Sequence, residues 1–171
     1  MADVVFRRLG QEDAERAAEI VFAGDSGYAE WMPADWKQAP YEHDLAEWRQ
    51  RLADPRRWNL GAATPQGRLI GVLSMRPADL FMRPAEGDAT TGYLSALFVD
   101  PEDQGGGVGG ALLARCEDEW RRRGMEKGCL WTPLGAPASR FYQRHGWRRD
   151  GRIFWWEWAG MQIVGFVKSL A

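Results

Sequence analysis

Apolar and polar positions along this chain switch repeatedly between a period of two and a period near four. "VVFRRL" (Val4 to Leu9) predicts a short strand. "EDAERAAEIVF" follows with Ala14, Ala17, Ala18, Val21 and Phe22 at helical spacing, and its first-turn acids suit the positive end of a helix dipole. "AGDSGYAEWMPADWKQAP" reads as a loop carrying aromatic residues. A second helix is predicted from near Pro40 to Asp54, with Leu45, Trp48 and Leu52 on one face and Asp54-Pro55 as its stop. "WNLGAATPQGRLIGVLSM" gives two strands joined at Pro65-Gln66-Gly67, and "RPADLFMRPAEGDATTG" a long connection of the functional or mobile kind. "YLSALFV" (Tyr93 to Val99) is apolar throughout, as a central strand would be. A helix carrying Val108, Leu112, Cys116 and Trp120 at steps of four ends at "RRRG", with Gly124 as its stop. "GCLWTP" is a fifth strand, Pro137 to Gly146 a short helix, and "RIFWWEW" and "QIVGFVKSL" two last strands.

That order predicts one mixed α/β domain over residues 1–171. No repeat, linker or low-complexity tail interrupts it. A formal charge of -2 gives no general reason to expect nucleic acid or anionic lipid as a partner. No apolar run approaches the roughly 20 residues of a membrane helix, and the first residues turn charged too early for a signal peptide. The two cysteines, Cys116 and Cys129, lie in apolar segments outside any CxxC pair, which predicts buried reduced thiols, no metal site and a cytoplasmic location.

Candidate chemistry begins at "PEDQGGGVGGALL", with five glycines between Gly105 and Gly110. Successive glycines let several N–H groups point into one concavity, and a helix opening there adds its unpaired N–H groups and dipole. A strand, a glycine loop and a helix in succession therefore predict an anion site, with phosphate as the natural occupant. A P-loop would need GxxxxGK(S/T), but Ala111 and Leu112 follow Gly110. Gly105, Gly107 and Gly110 match GxGxxG literally. However, "DPEDQ" separates them from their strand, and "CLWTP" ends without the acid that would hold a ribose.

"LFVDPEDQGGGVGGALL" resembles motif A of the GNAT superfamily of N-acetyltransferases, whose core Q/R-x-x-G-x-G/A is carried here by Gln104, Gly107 and Gly109. "ASRFYQRHGW" is similar to a second motif of that family through Ala138, Phe141, Tyr142, Gly146 and Trp147. "FRRLGQEDAERAAEI" resembles its first strand and helix. The resemblance implies a GNAT-like fold: a central, mostly antiparallel sheet of six to seven strands with about four helices. It also implies transfer of an acetyl group from acetyl-CoA to an amine. In that case the backbone of Gln104, Gly105, Gly106, Gly107, Val108, Gly109 and Gly110 holds the CoA pyrophosphate. Leu97, Phe98 and Val99 pair with the pantetheine arm much as an added strand would, and Phe141 lies with the cofactor site.

The chemistry asks for three further things. An ordinary alkyl amine, of pKa about 10, attacks a thioester only after losing a proton. The oxyanion that forms needs a fixed donor, for which the resemblance offers a backbone N–H near Phe98 or Val99. The departing thiolate takes a proton, and Tyr142 occupies the family's position for that acid; a tyrosine that only packs is the alternative. This sequence departs from the family at three places. Gly106 stands where many members carry Lys or Arg, and Gly135 where Asn is frequent. Tyr93 and Ser95 stand near the position of a glutamate base, so no base carries over. Asp25, Glu30, Asp35 and Glu157 read first as solvated carboxylates. His145 reads as complementing a helix dipole, and His43 has no identified partner.

Ten tryptophans remain to be placed. Trp31 and Trp36 bracket the loop after the first helix. Along "RIFWWEW", alternation puts Phe154, Trp156 and Trp158 on one face and Trp155 and Glu157 on the other. One face is expected in the core, and the other covered by a partner subunit or by an acceptor. Trp31, Trp36 and Trp155 beside a carboxylate would suit a cationic or aromatic amine. The partners expected are a small-molecule or peptide amine and, through an aromatic edge strand, a second copy of the chain. Two rivals stand beside this reading: a catalytically inactive acyl-CoA-binding module of the same fold, and a fragment of a nucleotide-binding oxidoreductase.

Overall fold

The computed structural model describes residues 3–32, 34–78 and 90–171, the Trp158 side chain apart. The chain divides into two compact units, Met1–Met75 with Ala96–Cys116, and Arg76–Ser95 with Glu117–Ala171.

In the first unit, β1 (Val5–Arg8) leads through a 3-10 turn into α1 (Ala14–Ser26), and a second 3-10 turn (Gly27–Glu30) precedes α2 (Tyr41–Ala53). The apolar stripe of α1 is Ala14, Ala17, Ala18, Ile20 and Val21, all buried. It packs with Leu9, Trp48, Leu69 and Val72, while Leu45, Leu52 and Phe98 cover part of the same cluster. Small residues on α1 leave room for the Trp48 ring of α2, which is 2% exposed. The α2 boundaries follow the sequence reading, with Pro40 and Asp54 extended on either side of the helix. The end of α1 does not: the helix runs past Phe22 through Ser26, four residues that the sequence reads as loop. Two side chains account for the extension. The Ser26 hydroxyl and the Gln38 amide both donate to the Phe22 carbonyl, at 2.9 and 2.6 Å, so the last turn is capped from outside itself. β2 (Trp58–Ala63) pairs antiparallel with β1 and with β3 (Leu69–Pro77). Their hairpin closes where Gly67 adopts φ 91° and donates to the Thr64 carbonyl at 2.8 Å.

In the second unit, the start of β4 (Thr91–Val99) runs parallel to β5 (Lys127–Pro133), from Thr91 opposite Lys127 to Leu94 opposite Leu130. β5 pairs antiparallel with β7 (Met161–Ser169), and β7 with β6 (Arg148–Trp156). α3 (Val108–Arg122) sends Trp120 into this core and α4 (Ala138–Arg144) sends Tyr142. Gly128 lies under two rings: a Cβ there would sit 2.6 Å from Trp120 and 2.9 Å from Trp147, so only glycine fits. Cys116, in the first unit, and Cys129, in this one, are both buried and not joined in a disulfide.

The strands follow the order β1-β2-β3-β4-β5-β7-β6, a mostly antiparallel seven-stranded sheet with one parallel pair and four helices, as the resemblance implied. Of the long connection after β3, residues 79–89 lie outside the described ones. At its base, Ala78 N–H donates to the Thr91 carbonyl at 2.8 Å.

β6 corrects one expectation. The strand ends at Trp156, and Glu157–Ala159 form a 3-10 turn, so Glu157 does not share a strand face with Trp155. Nor is either face in the core: Ile153, Phe154, Trp155 and Trp156 are 60, 42, 52 and 43% exposed. The cause is topological, because β6 is the last strand of the sheet and pairs only with β7.

Candidate functional site

The loop after β4 is tied down from both ends. Asp100 is buried, accepts from Glu102 N–H at 3.2 Å to open a 3-10 turn, and sends its own N–H to the Ile70 carbonyl at 2.9 Å. Arg16 of α1 pairs with the Asp100 carboxylate and donates to the Leu69 carbonyl at 3.1 Å. Arg68 grips Asp103 with two bonds of 2.9 Å. These arginines offset two carboxylates that would otherwise repel an anion at the loop. The sequence reading missed both, because the partners lie 84 and 35 residues away in the chain. Gln104 donates from Nε2 to the Val99 carbonyl at 3.2 Å, which fixes where the glycines begin.

Gly105 and Gly107 take φ of 81° and 85°, the left-handed region that favours glycine. Both are exposed, as is Gly106, and Val108 turns inward to start α3. Among the described residues, no group accepts a hydrogen bond from the N–H groups of Gly105, Gly106, Gly107, Val108, Gly109 or Gly110. The first turn of α3 carries no acid. A row of free donors at the positive end of a fifteen-residue helix has the chemistry to hold an anion, and the pyrophosphate of CoA fits that chemistry. Leu97, Phe98 and Val99 are half-exposed on the strand that feeds the loop.

The carboxylates after α1 separate into two kinds. Glu30 and Asp35 are exposed, as is Glu157 elsewhere, in line with solvated groups. Asp25 differs: it is half-buried on the last turn of α1, and burial first, then the facing charge of Asp44, pushes its carboxyl up to about 7, while a hydrogen bond from Tyr28 pulls the other way. Asp44 itself is 7% exposed on the first turn of α2. Burial raises its pKa too, with Glu47 adding to the rise and the charges of His43 and Arg51 opposing it. This gives His43 the carboxylate neighbour that the sequence reading did not find. Tyr28 and Asp44 were also missed. The signal would have been the spacing Asp25, Tyr28 across a helix end, visible only once α1 is known to reach Ser26.

Tyr142 and Phe141 lie in the second unit. The Tyr142 ring is buried, with centroids 6.0 Å from both Trp147 and Phe166 and 5.2 Å from Phe141. His145 caps α4 as read: its Nδ1 lies 2.8 Å from the Phe141 carbonyl.

A mostly antiparallel seven-stranded sheet with four helices, in which a glycine loop leads from β4 into α3, defines a mixed α/β class. Within it, residues 25–147 match the acetyltransferase (GNAT) family, and the chain belongs to that family of acyltransferases. Among solved structures it is similar to a protein of Desulfovibrio desulfuricans assigned to the GNAT acetyltransferases, with 22% identity over 99% of this chain and 100% of that one and a TM-score of 0.73. It is similar also to the PaiA N-acetyltransferase of Thermoplasma acidophilum in complex with coenzyme A: 17% identity, 95% and 98% coverage, TM-score 0.67. A third is YncA of Salmonella typhimurium with acetyl-CoA: 20% identity, 98% and 94% coverage, TM-score 0.68. No curated protein matches the sequence. No helix among the described residues is long and apolar enough to cross a membrane.

Proposed function

We propose that residues 1–171 form one cytoplasmic N-acetyltransferase domain that carries the acetyl group of acetyl-CoA to a primary amine by direct attack in a ternary complex. The observation that carries this reading is the row of unpartnered N–H groups from Gly105 to Gly110 at the start of α3. The CoA and acetyl-CoA complexes of two structural neighbours support it. In this proposal Gln104 to Gly110 hold the pyrophosphate, Leu97 to Val99 line the pantetheine arm, and an N–H of Phe98 or Val99 meets the oxyanion. Phe141 borders the cofactor, and Tyr142 protonates the departing thiolate. The acceptor is a small molecule or a peptide, and the exposed edge of β6 pairs with a second copy of the chain.

The test joins binding to turnover. Acetyl-CoA at about 100 times its Kd stabilises the folded chain by about 2.7 kcal/mol, a rise of several degrees in Tm for a chain of this length, and NAD gives no rise. Release of free thiol with an amine present separates the enzyme from an inactive acyl-CoA-binding module, which would show the Tm rise alone.

Gly106 allows a sharper version. It has no positive φ, and a Cβ there would meet only the Asp103 carbonyl, at 3.8 Å. Gly106→Lys therefore fits the loop and adds a cation beside the bound phosphates, worth on the order of 1 kcal/mol at the surface. Calorimetry should find CoA bound about fivefold more tightly in low salt, with the gain fading at high salt. An unchanged Kd in low salt would place the pyrophosphate elsewhere.

A further inference from the structure

The end of α1 holds a group of side chains that the glycine loop does not need. Asp25 is half-buried there and faces Asp44 of α2. Asp44 is 7% exposed, and its Oδ2 is buried with no hydrogen-bond partner among the described residues. A buried carboxylate oxygen without a donor costs free energy unless something supplies one. Half-buried Tyr28 lies beside Asp25, and two further half-buried rings lie beside Tyr28. Tyr28, which donates to Asp25, has its ring centroid 4.8 Å from Trp31 and 5.9 Å from Trp36. One residue before Asp25, Gly24 abuts β4 so closely that a Cβ would lie 3.0 Å from Cδ1 of Phe98. The carboxylate is thus adjacent in sequence to the point where α1 touches the strand proposed to carry the thioester. Aromatic faces attract cations, and an alkylammonium brings three N–H donors of the kind that Asp44 Oδ2 lacks.

We propose that this cluster is the acceptor site: a primary ammonium with a flat or aromatic body lies against Tyr28, Trp31 and Trp36, facing Asp25 and Asp44, and Asp25 takes its proton. The proposal rests on the acetyltransferase reading and supplies the base that reading lacks. The ammonium gives one proton to Asp25. The freed lone pair forms the N–C bond to the thioester carbonyl carbon while the carbonyl π pair moves to oxygen. When that pair returns, the C–S bond breaks with its electrons on sulfur. The nitrogen loses a second proton, the thiolate takes one, and Asp25 passes the other to water. The sum is ammonium plus thioester giving amide, thiol and one proton.

Charged neighbours set where Asp25 titrates. Asp44 faces it from α2 and Tyr28 from the turn after α1, and Asp44 has His43, Glu47 and Arg51 about it. A carboxyl whose pKa is raised on folding binds its proton more tightly in the native state. The wild type therefore loses stability as pH rises from about 4 to about 7, and the loss stays complete above that. Asp25→Asn removes the Asp25 share of this slope and leaves that of Asp44, whose carboxyl is raised as well.

The probe is benzylamine, with butylamine as the body without a ring. In the wild type, benzylammonium quenches tryptophan fluorescence and binds about tenfold more tightly than butylammonium. Its kcat/KM rises through a limb near pH 7. Asp25→Asn lowers kcat/KM by about 10²-fold and abolishes that limb, while CoA binding by calorimetry stays within about twofold. Tyr28→Phe removes the donor that holds the Asp25 pKa down, so the limb moves to higher pH. A purely structural tyrosine would not move it, and this variant covers the case in which Asp25→Asn does not fold. Normal CoA binding with no benzylamine binding, or with an unchanged pH profile in both variants, overturns the acceptor site and leaves the acetyltransferase reading standing. Failure of the wild type to bind CoA overturns that reading instead.

Discussion

Tyr142→Phe is expected to lower kcat by about 10²-fold with CoA affinity unchanged. The substitution keeps the ring, and with it the contacts to Phe141, Trp147 and Phe166. What it removes is the proposed proton donor to sulfur. A thiol with pKa near 8.5 leaves as thiolate. Without a nearby acid, charge builds on sulfur as the C–S bond breaks. Two readouts separate this role from packing. Tm should move by less than about 2 °C, because no cavity is made. The rate deficit should also shrink with acetyl thioesters of more acidic thiols, whose leaving groups need no proton. A deficit that stays constant across leaving groups would return Tyr142 to the core as a packing residue.

How much of this site the sequence discloses depends on the range of the interactions that make it. The glycine loop is legible because its chemistry is local: strand, left-handed glycines and helix follow one another within twenty residues. The apolar steps of four along α3 and the stops at Gly124 and Gly146, at φ 74° and 81°, are local in the same sense. The end of α1 is not. Gly24 and Ser26 are poor helix formers, and what carries the helix past them includes Gln38, twelve residues beyond Ser26. Asp25, Glu30 and Asp35 look alike in the sequence, and only the packing of α2 on α1 singles out the first. The aromatic run of β6 would read the same in a central strand or an edge strand. Pairing with β7 alone decides the matter, and pairing partners are not written in a strand's own alternation.

The largest stability effect expected lies at Glu117, which no pattern in the sequence marks. Its carboxylate is 8% exposed and accepts from Lys168 Nζ at 2.9 and 2.7 Å and from the Trp147 indole at 3.0 Å. Lys168 donates also to the His145 carbonyl at 2.8 Å, so one ion pair joins α3, the end of α4 and β7. The backbone N–H of Trp147 donates to the Tyr142 carbonyl at 3.1 Å, which makes this network the support for the proposed acid. Glu117→Ala leaves an ammonium and a buried indole N–H without their acceptor. Removing one partner of such a pair costs about 3 kcal/mol, or about 6–12 °C in Tm. The ion pair itself is a different quantity, since apolar groups of similar shape often replace both partners with little loss. Glu117→Leu with Lys168→Met should therefore recover more than half of the lost Tm, as read by thermal denaturation. If the double variant melts no higher than Glu117→Ala, the network acts through its hydrogen bonds to Trp147 and His145, which no apolar pair replaces. If the single variant melts within about 2 °C of the wild type, the carboxylate does not support this unit.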